Sequence, residues 1–566
     1  MTNDSHVRRY LLASIIFLFL LSASIIFEPA GEFASVGAWY SLLPPLLAIV
    51  LAYATRQLLW SMGVAILLGG LLTTIQQDIA GIPAIIKGLS TGAAYALSVI
   101  RDPWSLKILA FVVLILMMIS VIIVGGGLSA IAQSLQKYAR SRRSSKLVTA
   151  IMGLLVFIDD YANTMIVGSS MRPLSDQHKI SREKLAFIVD ATSAPVAGLA
   201  IISTWIGYET GLFGKTAQQL GIDKDGYAMF FDALPFRFYC LLMLAFVFIN
   251  ILSRRDYGPM LSAEQRVLKE NKVLADDAIP MTSRSFALTE TGDEVTPYLK
   301  TALIPFTCLF GVLLGGLWFD GGGLQKSLWA LLNPAAWLEV ISATKNNSTI
   351  LLLSSAAGLI SALGCAYWFG RAKLILLKKA SYSGLRSSLL PMLILILAWS
   401  LKSSCSDLNT GDFLVATIGQ TVSPFWFPAL LFIAAALTSF GTGTSWGTMA
   451  ILIPTALPVA FALDGNQYGL ITIISLGAVL DGSIFGDHCS PISDTTIMSS
   501  IASACDHLHH VKTQVPYSLS VAIVALGLGY LPSALGLSAW AGFIAGIVAL
   551  MLLLQLFGKH AVARGN

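Results

Sequence analysis

The sequence predicts an all-α polytopic membrane fold built as an inverted repeat, with two re-entrant hairpins, two broken transmembrane helices and roughly ten to twelve spans. Three observations carry this prediction. Of 566 residues, 55% are hydrophobic and only 12% are charged, too little charge for a soluble chain of this size, and apolar runs near ~20 residues recur. Basic residues gather in a few loops, as membrane topology requires of a chain with net charge +5; nothing in that pattern points to nucleic acid. Two distant stretches share one layout: FIDDYANTM followed by VDATSAP, and SFGTGTSWGTM followed by GDHCSPISDTT.

The elements follow in order. Arg8 and Arg9 precede an apolar run from Tyr10 to Phe27, long for the core of a signal peptide, so it reads as an uncleaved first span. Spans from Ala38 to Ala54, Leu58 to Ile75 and Trp104 to Ala132 lead to a loop carrying Lys137, Arg140, Arg142, Arg143 and Lys146. Segment 147–171 then has positive charge on both flanks, with Arg172, Lys179, Arg182 and Lys184 after it. A segment that starts and ends on the positive side is a re-entrant hairpin, here turning at the Asp-Asp-Tyr-Ala-Asn interruption. Broken segment 185–208 crosses outward and Phe236 to Leu252 returns.

The hydrophilic stretch 253–297 reads as a cytoplasmic linker between an N-terminal half, 1–252, and a C-terminal half, 298–566. In the second half, Tyr298 to Phe319, Thr349 to Phe369 and Leu389 to Lys402 are spans. Segment 427–462 has few charges on either flank and reads as a hairpin entering from the opposite face. Broken segment 469–503 and spans Pro516 to Leu531 and Ala539 to Phe557 complete the chain. Ile82 to Ile100 and Gly323 to Ile341 read as amphipathic. The positive-inside rule puts both termini in the cytoplasm.

Irregular backbone at membrane depth is tolerated only where protein or a water-filled cavity satisfies it, so paired broken segments of opposite topology point to a midplane transport site. An ionised side chain at the bilayer centre costs roughly 2.5–3.5 kcal/mol on insertion scales, which makes intramembrane acids functional candidates. Asp159 and Asp160 are adjacent, so both reach one site only where the helix unwinds; alternatively, one of them caps the following half-helix. Asn163 and Thr164 add neutral oxygens one turn later, as Thr442, Thr444 and Ser445 do in the other hairpin. In the broken segments Asp190 and Ser193 precede Pro195, and Asp487, His488 and Ser490 precede Pro491, with Asp494 and Thr495 one turn further. These residues form the predicted ion or substrate site, and Asp160, Asn163, Asp487 and Asp494 are its sodium ligands: a dehydrated sodium ion takes several hard oxygens and a balancing carboxylate.

Other polar residues read more plainly. His507, His509 and His510 with Asp506 read as a solvated helix end, and Glu209 as an acid near the outer surface. No arginine is evident within a span to clamp an anion, which favours inorganic ions. The six cysteines have no C-x-x-C spacing, so neither a disulfide framework nor a zinc site is expected. No phosphate-binding loop, H-E-x-x-H or nucleophile elbow occurs, so the chain reads as no enzyme and no ATP-driven pump. No cofactor is expected; the energy source is an ion gradient.

At these residues the chain resembles the sodium/proton antiporter family of C type within the ion-transporter superfamily. The segments FIDDYANTMIVGSSMRPLSD, LAFIVDATSAPVAGLAIISTWIGYE, SFGTGTSWGTMAILIP and GSIFGDHCSPISDTTIMSS, the last followed by DHLHHVKTQVPY, carry the resemblance. It implies secondary antiport in a bacterial inner membrane by an elevator-like motion of the hairpin-bearing domain, with sodium and protons as coupling ions. Because the family also contains malate/lactate exchangers and amino-acid transporters, a small organic or amino acid is the alternative cargo. The expected surroundings are a lipid bilayer, with the oligomeric state open and a homodimer compatible with the reading.

Overall fold

The computed structural model describes residues 39–55, 57–77, 81–280, 295–413, 422–491 and 493–561; the predicted first span, Tyr10 to Phe27, lies outside them. The first half runs α1 (Leu43–Thr55), α2 (Leu58–Ile75), α3 (Gly81–Arg101), α4 (Pro103–Val124), α5 (Gly127–Gln136), α6 (Arg142–Leu155), α7 (Asp160–Gln177), α8 (Arg182–Ala191), α9 (Ala194–Ala197), α10 (Thr204–Leu220), α11 (Gly226–Ala233) and α12 (Phe238–Ser253). Then come α13 (Gly258–Glu270), α14 (Lys300–Asp320), α15 (Pro334–Ala343), α16 (Asn347–Trp368), α17 (Leu374–Asp407), α18 (Phe427–Thr442), α19 (Ser445–Leu463), α20 (Leu470–Cys489), α21 (Asp494–Ala502), α22 (His507–Val524) and α23 (Ala539–Leu556). Among the described residues, 10 helices are long and apolar enough to cross a membrane, or 11 if the pair bent by 50° at Arg237 is one span. Large apolar side chains stay exposed on their outer faces, Ile360, Trp368, Leu437 and Ile544 among them, as a lipid-facing surface requires.

Several elements differ from the sequence reading, each for a local reason. The predicted span Trp104 to Ala132 is two helices, because Gly126 takes a left-handed conformation at φ 77° between α4 and α5. The predicted short span Leu389 to Lys402 is the second half of the 34-residue α17, whose first half was hidden by Lys378, Lys379 and Arg386. Ile82 to Ile100 is one helix, α3, apolar enough to cross. The stretch read as a linker is partly folded against the rest of the chain. Arg255 and Asp256 (β1) pair antiparallel with Lys559 and His560 (β2). Glu264 of α13 is buried and receives Arg142 at 2.7 Å and, in a second ion pair, Lys146, both from α6.

The second polar interruption breaks its helix where the sequence placed it, whereas the first break falls just ahead of most of the Asp-Asp-Tyr-Ala-Asn stretch, of which only Asp159 lies in the break. The α6–α7 break falls at residues 156–159 and the α18–α19 break at Gly443 and Thr444. Gly443 sits at φ 70°, a left-handed conformation that costs a residue with a Cβ roughly 1–2 kcal/mol. The following helices are broken as well, between α8 and α10 and between α20 and α21. Helix α20 packs closely on α18: a Cβ on Gly486 would meet the Ala436 carbonyl oxygen at 2.2 Å, so only glycine allows this backbone approach.

Candidate functional site

The first break is latched by Asp159. It caps α7, its Oδ1 accepting from the Ala162 N–H at 2.8 Å, while Oδ2 accepts from the Thr204 hydroxyl at 3.2 Å. The Thr204 N–H donates to the Ile158 carbonyl at 2.9 Å, so the tip of one broken element is tied to the distal half of the next. With Asp159 spent as a cap, its neighbour Asp160 is left for other work. Asp160 is 3% exposed and lies within electrostatic reach of Asp159 and Asp494.

From the second half, Asp487 sits in the last turn of α20, 2% exposed, within electrostatic reach of Asp494, Asp190 and Asp160. Its Oδ2 accepts from the Ser445 hydroxyl at 3.3 Å, and its Oδ1 is buried without a hydrogen-bond partner. Asp494, in the first turn of α21, accepts from the Tyr161 hydroxyl of α7, and both of these residues reach the surface. Carboxylates from both halves therefore act on one another across the α7–α21 contact. Among the described residues, no Lys, Arg or His forms an ion pair with Asp160, Asp487 or Asp494.

Buried carboxylates without a basic partner are tolerated when they hold protons or cations. Among the described residues, no three His, Cys, Asp or Glu side chains come close enough together to hold a metal ion. A cation here would take one or two carboxylates and complete its shell with neutral oxygens, as hard monovalent and divalent ions do. The unpartnered Asp487 Oδ1 and the Ser445 hydroxyl beside it have the right donor chemistry.

The other predicted residues are placed differently. Asn163 donates to the Gly153 and Thr192 carbonyls at 2.6 and 2.8 Å, holding α6 against the first break, and its Oδ1 is buried without a partner. Thr164, Thr442 and Ser193 return their hydroxyls to carbonyls of their own segments. Thr444 caps α19, accepting from the Gly447 N–H at 3.3 Å. Ser490 donates to the Phe440 carbonyl at 2.7 Å, pinning the second break to α18, and Thr495 shares a 3.0 Å contact with Ser493. Asp190 is paired by Ser499 at 3.1 Å and Gln514 at 2.7 Å. His488 Nδ1 lies 2.8 Å from the Tyr239 hydroxyl and its Nε2 3.8 Å from Asp190. Most of the predicted hydroxyls thus build the breaks and leave the acids as the chemically open groups.

The expectation that no arginine lies within a span is overturned. Arg237, at the bend between α11 and α12, is fully buried. Its Nε donates to Asp481 at 2.8 Å and a terminal nitrogen donates to the Gly198 carbonyl at 2.9 Å in the first broken helix. Glu209, expected near the outer surface, is also fully buried, 3.6 Å from the same guanidinium. The sequence signal was Arg237 itself, standing just after Pro235 as the second residue of the predicted span Phe236 to Leu252.

Two contacts carry the first half into the second hairpin. Tyr208 stacks on Trp446 at 4.3 Å and donates its hydroxyl to the Trp446 carbonyl, and Trp205 meets the same indole edge-on at 5.9 Å. The tip of α18–α19 is thus seated on α10.

A profile of the Na+/H+ antiporter family matches residues 196–532 of this chain. An uncharacterized protein of Haemophilus influenzae is 29% identical over 92% of this chain and 96% of its own length. Relatives with named activities match over shorter stretches. The Na(+)/H(+) antiporter NhaC of Alkalihalophilus pseudofirmus is 29% identical over 27% of this chain and 33% of its own. The malate-2H(+)/Na(+)-lactate antiporter of Bacillus subtilis is 31% identical over 19% and 21%. Among solved structures, the YdaH transporter of Alcanivorax borkumensis superposes with a TM-score of 0.50 at 16% identity, covering 76% of this chain and 86% of that one; this is a likeness of fold alone. With its apolar helices and this match over more than half its length, the chain belongs to the Na+/H+ antiporter family and is a multi-pass membrane secondary transporter.

Proposed function

We propose that this transporter exchanges sodium for protons at the acidic cluster of Asp160, Asp487 and Asp494, where the ion takes one or two of the carboxylates and the Ser445 hydroxyl as a neutral oxygen. The observation that carries the reading is that the buried Asp160 and Asp487 and the surface-reaching Asp494, drawn from both halves, gather without any basic partner among the described residues. Burial disfavours an ionised carboxylate and a bound cation favours it, so protons and sodium compete for the same oxygens. The two hairpins enter from opposite faces and move together against the remaining helices, exposing the site alternately; the face with the basic loops is cytoplasmic. Purified protein in sealed proteoliposomes should show sodium-dependent proton flux, lost in Asp487→Asn. Absence of flux from correctly inserted wild-type protein would refute the proposal.

A second reading, a sodium- or proton-coupled carrier of a small organic or amino acid, draws on the partial match to the malate-2H(+)/Na(+)-lactate antiporter. Arg237 does not favour it, being committed to Asp481 and the Gly198 carbonyl; backbone amides at the helix breaks would have to hold the substrate carboxylate. Thermal-shift measurements against sodium, lithium, dicarboxylates and amino acids separate the two readings: stabilisation by an organic acid, increased by sodium, favours the second.

A further inference from the structure

Helix α22 begins with three histidines that the sequence assigns to a solvated end, yet two of them turn inward. His510 is fully buried and His507 half-buried. The ring of His507 points Nε2 at the Pro491 carbonyl, 2.8 Å away, and that of His510 points Nε2 at Gln514 Oε1, also 2.8 Å away. The Gln514 amide is oriented by its nitrogen, which donates to Asp190 and to the His488 carbonyl, so Oε1 faces His510. Both partners of the Nε2 atoms can only accept, so each Nε2 carries hydrogen and each neutral ring presents a bare Nδ1.

Both bare nitrogens converge on one hydroxyl. Ser500 Oγ lies 3.1 Å from His507 Nδ1 and 2.9 Å from His510 Nδ1, and 2.8 Å from the Thr496 carbonyl. One hydroxyl hydrogen therefore faces three acceptors, and the all-neutral cluster leaves two buried or half-buried ring nitrogens competing for it. One added proton resolves the conflict: His507 Nδ1–H donates to Ser500 Oγ, and the Ser500 hydroxyl donates to His510 Nδ1. When the His507 proton moves to Oγ as the hydroxyl hydrogen moves to His510, a single proton has crossed between rings with no electron transferred.

We propose that His507, Ser500 and His510 form a proton-loading site on the face carrying the basic loops, holding one proton shared by the two rings. The position suits that task. His507 is the partly exposed end, and His510 Nε2 lies 3.8 Å from Asp190 Oδ2, with Gln514 bonded to both side chains. The other charged or titratable groups nearby are engaged: His488 with Tyr239, Asp506 with the His509 and Ile279 N–H groups, His509 with Asp277 at 3.5 Å, Arg182 with Asp176 and Glu183 with Arg266. The site supplies the proton that the antiport reading requires, and its transport arm rests on that reading.

The test is nitrogen-15 histidine NMR on the purified protein as pH is varied, with wild type, Ser500→Ala, His507→Gln and His510→Gln. A shared proton makes the His507 and His510 signals move together in wild type and separately in Ser500→Ala. Independent titration in wild type, unchanged by Ser500→Ala, overturns the proposal whether or not the protein transports. In proteoliposomes, Ser500→Ala should slow sodium-driven proton flux by about a hundredfold at alkaline pH on that face, the lower end of the range by which positioned acid–base groups act, while sodium binding and the flux of His509→Gln stay at wild-type values. Undiminished flux in both Ser500→Ala and His510→Gln also overturns it. Absence of flux in wild type refutes antiport instead and leaves the NMR result to decide the proton site.

Discussion

Two groups of acids lie among the helices of this transporter, and they are handled in opposite ways. Asp481 and Glu209 surround Arg237: Asp481 accepts from the guanidinium at 2.8 Å, from the Tyr239 N–H at 2.6 Å and from the Tyr530 hydroxyl at 2.8 Å. Asp160, Asp487 and Asp494 have hydroxyls and one another for company, and no cation among the described residues. The first group spends its charge on holding the bend at Arg237 and the unwound Gly198 carbonyl. The second keeps its charge available. A paired acid at depth is scaffold, and an unpaired one needs a mobile counter-charge; that distinction separates the proposed ion site from its frame.

Substitutions at the two groups should therefore fail differently. The largest functional loss belongs to Asp487→Asn or Asp160→Asn, each expected to abolish sodium–proton exchange while leaving expression and thermal stability near wild type, as flux and melting measurements on the same preparations would show. Arg237→Met should act through stability. Removing one partner of a buried ion pair costs about 3–5 kcal/mol, so the variant should melt well below wild type or fail to accumulate. Flux lost without a fall in melting temperature would move Arg237 from scaffold to ion site.

A smaller, local effect is expected outside the spans. Burial works to raise the Glu264 carboxyl, but Lys146 and Arg142 outweigh it and hold it below the ordinary carboxylate range. A depressed folded value means that the contact's stabilisation is present above the unfolded value, about 4.3 for glutamate, and is lost as pH falls through the folded value. Hydrogen exchange of Gly258–Glu270 should accelerate only in that acidic window. Glu264→Gln should show the faster exchange already at neutral pH. The smallest effect is expected from Glu209→Gln. Both Glu209 oxygens lack hydrogen-bond partners, and neutralising it leaves Arg237 balanced by Asp481, so the melting temperature should correspond to a change within about 1 kcal/mol.

The sequence exposes one of these groups and conceals the other for a physical reason. Acids interrupting apolar runs stand out, so Asp160, Asp487 and Asp494 could be found along with the breaks that carry them, and Leu58–Ile75 was bounded to the residue by its apolar run. Arg237 was hidden because a cation at the end of an apolar run looks like an interfacial flank; only the tertiary fold shows that Asp481 and Glu209 close over it. Hydroxyls mislead in the other direction. Thr164, Thr442 and Ser193 look like ligands by spacing, yet a hydroxyl within a helix finds the carbonyl of a preceding turn first. The His507–Ser500–His510 cluster was equally invisible, since histidines at a charged helix start read as solvated until α8 and α20 are packed against them.

The most direct measurement counts protons released when sodium binds to purified protein, in wild type, Asp160→Asn and Asp487→Asn. If acids from both halves form one competitive site, wild type releases protons on sodium addition and each single substitution removes both the sodium binding and the release. Full sodium binding and proton release in either variant would contradict a shared site.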